Sequence, residues 1–170
     1  ESRVGITPDC IPSLSKMGFS VFVQSNAGIG SSFTDQDYKN TGAKISVNQK
    51  ELYKNADLVV KIQRPTKQKK INEISFLKNC NVLTLLYEQK FKNEYNLLKK
   101  LKINVFALER MPRISRAQSM DVLSSQSNLS GYKAAIDAAS QFNKAFPLMM
   151  TSAGTVAPAK VLVIGAGVAG

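Results

Sequence analysis

Two stretches of this sequence carry residue types at spacings that could do chemistry. The first is "ERMPRISRAQ" (109–118), which sets Arg110, Arg113 and Arg116 three residues apart. Arginine is the planar, bidentate donor that grips carboxylates, phosphates and amides. Only five of the 23 basic residues are arginine, so a local cluster of three in a lysine-rich chain marks a candidate binding segment. The second is "KVLVIGAGVAG" (160–170), where Gly165, Gly167 and Gly170 form a G-x-G-x-x-G run behind four apolar residues, Val161 to Ile164. An apolar run feeding straight into glycines predicts a buried parallel strand and a tight turn. In a dinucleotide-binding fold the first glycine makes that turn, the second lets the backbone approach a pyrophosphate, and the third packs strand against helix. A plain glycine-rich turn between two buried elements has the same pattern. The helix that would hold the phosphates, and the acid that would hold a ribose about 20 residues further on, do not follow in these 170 residues. The expectation is a chain cut inside a domain.

The elements that must position these groups alternate along the chain. Thr7-Pro8-Asp9 predicts a helix start running to about Met17. A strand follows at 19–25, then a turn-rich loop at 26–32, and Thr34 with Asp37 has the spacing of a helix cap. Strands are expected at 43–47, 57–63, 81–87 and 103–109, with helices at about 48–55, 69–78 and 91–101. This alternation implies right-handed crossovers and a parallel sheet covered on both faces. Past Pro112 the texture turns polar and then helical, with Tyr132, Ala135, Ile136 and Ala139 at i, i+3, i+4 and i+7 and Pro147 marking the helix's end. Residues 149–160 are expected to link into the glycine-ending strand. The fold class is therefore α/β: a parallel-sheet, flavodoxin-like domain (1–112), a loop and connecting helix (113–148), and the truncated start of a Rossmann domain (149–170). Ligands of such folds bind at the carboxyl ends of parallel strands, often in a cleft, whose second wall the polar segment 113–128 is expected to form.

Composition excludes several classes. The net charge of +11 invites a nucleic-acid partner, but the dense runs "KQKK" (67–70) and "KKLK" (99–102) carry no interleaved aromatics for base stacking. No nucleic-acid partner is expected. No run approaches the roughly 18 apolar residues of a membrane span, and no signal peptide is expected. Cys10 and Cys80 are expected to be small residues in a reducing compartment, with no disulfide or metal site.

Taken together, "ESRVGITPD", "VVKIQRP", "ERMPRISRAQSMDVLSSQSNLSGYKAAIDAA" and "MMTSAGTVAPAKVLVIGAGVAG" resemble the NAD(H)-binding domain of the alpha subunit of proton-translocating nicotinamide nucleotide transhydrogenases. That family shares a superfamily with alanine dehydrogenase. The resemblance implies that Arg113, Gln118, Asp121 and Ser124 hold the nicotinamide end of NAD(H), the first three serving hydride transfer, while Gly165, Ala166, Gly167, Val168 and Gly170 lie on the pyrophosphate turn. It also implies NADP(H) on a separate domain or subunit, a membrane domain as partner, and a homodimer of the NAD(H)-binding part. The place implied is the cytoplasmic or matrix face, as the peripheral part of an inner-membrane complex. The residue chemistry agrees, since an arginine, an amide, a carboxylate and a hydroxyl can fix a carboxamide's rotation. A capped, solvated helix start would use Arg113, Gln118 and Asp121 equally well.

Two other readings stand beside this one. Arg3 and Lys61 match the positions where alanine dehydrogenases carry an oxoacid-binding arginine and lysine, although ion-paired or surface roles suit both residues. Reductive amination calls for a general acid/base, which in alanine dehydrogenase is a histidine on the loop after the strand matching "NVLTLLY" (81–87), and this sequence has no histidine. Passing a hydride between two nicotinamides needs no such group. The remaining reading is an inactive remnant.

Overall fold

The computed structural model describes residues 1–67, 72–77 and 80–170. It divides into two compact units, Glu1–Arg110 and Met111–Gly170.

The first unit opens with a 3₁₀ turn, Pro8–Cys10, that runs into α1 (Ile11–Lys16). Proline at the start of each piece is pre-set for helix and has no N–H to leave unsatisfied. β1 (Phe22–Gln24), α2 (Asp35–Asn40), β2 (Lys44–Ser46), α3 (Gln49–Lys54) and β3 (Leu58–Gln63) follow. β4 (Asn81–Leu85), α4 (Lys92–Lys100) and β5 (Asn104–Ala107) complete the alternation. The cap at Thr34 forms as its spacing predicts: the Asp37 N–H donates to the Thr34 hydroxyl, and the Thr34 N–H donates back to the Asp37 carboxylate at 2.7 Å. The helix expected at 69–78 falls partly outside the described residues. Its described part is a short 3₁₀ turn, Glu73–Phe76, capped by Asn72.

Among the described residues all pairings between the strands of this unit are parallel, as the alternation requires, but they form two hydrogen-bonded pieces instead of one sheet: β1 with β2, and β3–β4–β5. Each piece has its own core. Tyr53, Ile74, Leu77, Cys80, Val82, Leu86 and Leu98 are buried together around the three-stranded piece. Ile11, Tyr38 and Ala43 are buried around the two-stranded one, where the Tyr38 hydroxyl donates to the Ile6 carbonyl at 2.8 Å. Cys80 thus sits in a core and Cys10 at the surface, both as free thiols.

α3 is only six residues long, yet it delivers Tyr53 to the core. A helix this short depends on its cap. The Asn48 side chain accepts from the Lys50 and Glu51 N–H groups at 3.1 and 3.4 Å. Asn48→Ala is expected to lower stability by about 1 kcal/mol, and Asn48→Asp to leave it nearly unchanged. Urea denaturation curves of the two variants check this.

The second unit holds a 3₁₀ turn (Ser115–Met120), α5 (Val122–Gln141) and an antiparallel hairpin of β6 (Met149–Thr151) and β7 (Gly154–Val156). Three expectations are corrected here. α5 begins earlier than its apolar periodicity suggests and ends at Gln141, before Pro147. The supposed linker at 149–160 contains the hairpin. Val161 to Ile164 form no strand; they are 61–92% exposed. A parallel strand exists only through its neighbours' hydrogen bonds, and among the described residues no strand pairs with this run. Among the described residues, no helix is long and apolar enough to cross a membrane.

Candidate functional site

The arginine-bearing segment leaves the first unit at a fixed point. Glu109 accepts both the Leu86 and Tyr87 N–H groups, at 3.0 and 2.6 Å, so one carboxylate clasps the turn after β4. Arg110 forms an ion pair with Glu88 on the same turn. The first arginine of the cluster is therefore spent on structure.

In the second unit the polar segment folds through local bonds. The Ala117 N–H donates to the Ile114 carbonyl at 2.9 Å, starting the 3₁₀ turn, and Ala117 is its one buried residue. Arg113, Gln118 and Ser119 remain exposed. Asp121 ends the turn and caps α5. Its Oδ1 accepts from the Leu123 and Ser124 N–H groups at 3.1 and 3.0 Å, and its Oδ2 accepts from the Ser124 hydroxyl at 2.6 Å. The Ser124 side-chain and backbone bonds, with smaller help from the Leu123 N–H and the Arg113 charge, hold the Asp121 carboxyl below the usual carboxylate range. Asp121 and Ser124 thus form one unit, with Arg113 near enough to act on it electrostatically. Oδ1 is filled by its two N–H donors, whereas Oδ2 accepts one bond and retains a lone pair, so the cap does not exhaust the carboxylate's capacity to accept. Gln118 joins through its backbone, whose carbonyl receives the Asp121 N–H at 3.2 Å.

The glycine turn uses its glycines unequally. Gly165 has φ of +106°, which a side chain would strain. A Cβ on Gly170 would collide with the Gly165 carbonyl, because the turn folds back on itself. A Cβ on Gly167 would meet nothing within 4 Å, so this is the open face that a ligand's phosphates could approach. Ala166 and Val168 flank it.

A cluster that spacing does not reveal lies in the first unit. Glu73 is 9% exposed. Its Oε1 accepts from Lys61 Nζ at 2.7 Å, the Tyr53 hydroxyl at 3.1 Å and Gln49 Nε2 at 3.3 Å. Its Oε2 accepts from the Thr66 N–H at 2.9 Å. Burial pushes the Glu73 carboxyl up, but the Lys61 and Thr66 bonds, the Lys61 charge and the Tyr53 bond together outweigh it and hold the carboxyl below its ordinary value. Burial also drives the Tyr53 phenol far up, which keeps it a donor. Lys61 is thereby ion-paired, and Arg3 is bound to Glu1 through Nε at 2.9 Å and Nη2 at 3.0 Å. Both cations that could receive a carboxylate substrate already hold one. The only sequence signal for this cluster is a lone acid beside apolar residues in "NEISFL" (72–77).

Parallel α/β layering, a long helix and a glycine turn together define an α/β protein of Rossmann-like class. The chain belongs to the alanine dehydrogenase/PNT family: the profile of that family's N-terminal domain matches residues 1–130, and that of its C-terminal domain matches 134–170. It is 48% identical over 172 residues to the first part of NAD(P) transhydrogenase subunit alpha of Rhodospirillum rubrum, covering 100% of this chain and 45% of that protein. The crystal structure of transhydrogenase from Sinorhizobium meliloti superposes with a TM-score of 0.91 at 43% identity, over 100% of this chain and 48% of that one. Alanine dehydrogenase 2 of Staphylococcus aureus (strain USA300) is 32% identical over 177 residues, 100% of this chain and 45% of that protein. The chain spans about half the length of these curated relatives.

Proposed function

We propose that this chain is the NAD(H)-binding part of a transhydrogenase that passes hydride between NAD(H) and NADP(H). In the complete enzyme this transfer is coupled to proton translocation. The observation that carries the reading is the likeness over the full chain, 48% identity to a transhydrogenase subunit against 32% to an alanine dehydrogenase. The site chemistry supports it. The turn after β4 is "YEQK" (87–90), with no imidazole to move protons, and a hydride exchanged between two nicotinamides needs only positioning groups at the reacting carbons.

The residues fit the cofactor. Gly167 presents open backbone to a pyrophosphate, and Ala166 and Val168 bring their N–H groups with it. Arg113 and Gln118 offer exposed donors, and the Asp121–Ser124 unit offers acceptors, to a carboxamide and its ribose. The nicotinamide supplies the hydride chemistry; Arg113, Gln118 and Asp121 orient the ring. NADP(H) would lie on a separate domain or subunit, beside a membrane domain. The NAD(H)-binding part would pair as a homodimer on the cytoplasmic or matrix face of an inner-membrane complex.

The experiment is an assay of the complete enzyme with two substrate pairs. Hydride transfer from NADH to an NADP⁺ analogue is expected, and oxidation of L-alanine with NAD⁺ is not. Pyruvate formation by the purified protein would transfer the reading to the dehydrogenase branch.

A further inference from the structure

α5 contains one glycine, Gly131, in the middle of a 20-residue helix. Glycine weakens a helix interior relative to alanine, so its presence asks for a steric cause. The structure supplies one. A Cβ at Gly131 would collide with the Ala169 carbonyl oxygen, with the Ala169 carbonyl carbon at 2.9 Å and its Cα at 3.1 Å. All three are backbone atoms, and no side-chain rotation could relieve the overlap. Ala169 belongs to the glycine run, between Val168 and Gly170. The run therefore lies against α5 at the one position where that helix has no side chain.

We propose that Gly131 is a positioning residue: it is the notch in α5 that seats the dinucleotide-binding glycine turn. The proposal rests on the NAD(H) reading of that turn. The same helix begins at Asp121 and carries Ser124 in its first turn. At a rise of 1.5 Å per residue, the seven residues from Ser124 to Gly131 span about 10 Å. α5 is thus a rigid spacer that sets the distance between the groups at the nicotinamide end and the turn at the pyrophosphate. Any side chain at 131 must push the turn off the helix and lengthen that distance.

The test uses the full-length protein with Gly131→Ala, and with Ser130→Ala as a neighbouring exposed control. Amide exchange is followed without nucleotide, and NADH affinity by titration. The seat predicts faster exchange at 166–170 in Gly131→Ala and an NADH Kd raised about tenfold, the loss of a hydrogen bond to a charged group. Thermal stability should hold or rise, because alanine favours the helix. Ser130→Ala should match wild type in both readouts. Wild-type exchange and affinity in Gly131→Ala would overturn the seat alone, whereas unaltered protein that fails to bind NADH would overturn the NAD(H) reading. A second measurement needs no variant: saturating NADH should slow exchange at 130–132 together with 165–170. Protection confined to 165–170 would overturn the seat.

Discussion

Arg113→Ala is expected to slow hydride transfer by roughly 10²-fold while changing NADH affinity by less than about threefold. Most contacts to a dinucleotide come from its phosphates and adenosine, which the glycine turn and the rest of the nucleotide domain would hold. Arg113 lies elsewhere in sequence, exposed on the segment before α5. A group that orients the ring without anchoring the molecule lowers the rate of the chemical step and leaves affinity nearly intact. Asp121 provides the internal control. Because asparagine caps a helix as well as aspartate does, Asp121→Asn keeps the bonds from the Leu123 and Ser124 N–H groups, turns its second group from an acceptor of the Ser124 hydroxyl into a donor to it, and removes the charge that acts on Arg113. If that charge holds the guanidinium in place, Asp121→Asn should follow Arg113→Ala in rate. Stopped-flow transfer in the complete enzyme with its NADP(H)-binding partner, set beside NADH titration, measures both. Loss of rate and affinity in equal proportion would return Arg113 and Asp121 to the role of an ordinary helix start.

Local determinants explain what the sequence made legible. The Thr34–Asp37 cap closes over three residues and needs nothing else, so its spacing suffices. β3, β4 and β5 are short apolar runs separated by helical stretches, and each forms near its expected place. The glycine turn is legible for the same reason, since φ at Gly165 is a property of that residue. Elements that depend on distant partners are harder to read. Val161 to Ile164 have the composition of a buried strand, but strand formation is decided by a neighbour. The β6–β7 hairpin turns through Ser152 and Ala153, which lack the Asn-Gly or Asp-Gly chemistry that announces a tight turn. Asp121 was legible both as a chemical group and as part of a capped helix start, and it caps α5 by accepting from the Leu123 and Ser124 N–H groups. The partner of Lys61 was hidden by its surroundings: a lone charge between Asn72 and Ile74 gives no pattern until the chain brings Tyr53, Gln49 and Thr66 around it.

The pair of buried Glu73 with half-buried Lys61 carries the largest stability effect expected among these variants. Lys61→Met should lower unfolding stability by roughly 3 kcal/mol at neutral pH, because removing one partner leaves the other as an uncompensated buried charge. Glu73 would keep its bonds from Tyr53, Gln49 and the Thr66 N–H, but lose the cation that offsets its burial. Removing both charges while keeping an acceptor, as in Lys61→Met with Glu73→Gln, should recover most of the loss. The dependence on pH differs between the two proteins. In wild type the folded Glu73 carboxyl lies below its unfolded value, so its contribution is fully present above the ordinary glutamate range of about 4.3 and is lost as pH falls through the folded value. In Lys61→Met the lysine's bond and charge are gone while burial remains, so the folded carboxyl moves up from its wild-type position and less of the stability is lost in acid. The gap between the two proteins should therefore narrow from about pH 7 toward about pH 4. Urea unfolding of wild type, the single variant and the double variant at both pH values decides it. A gap that stays constant with pH would show that the loss comes from packing of the lysine stem and not from the stranded Glu73 charge.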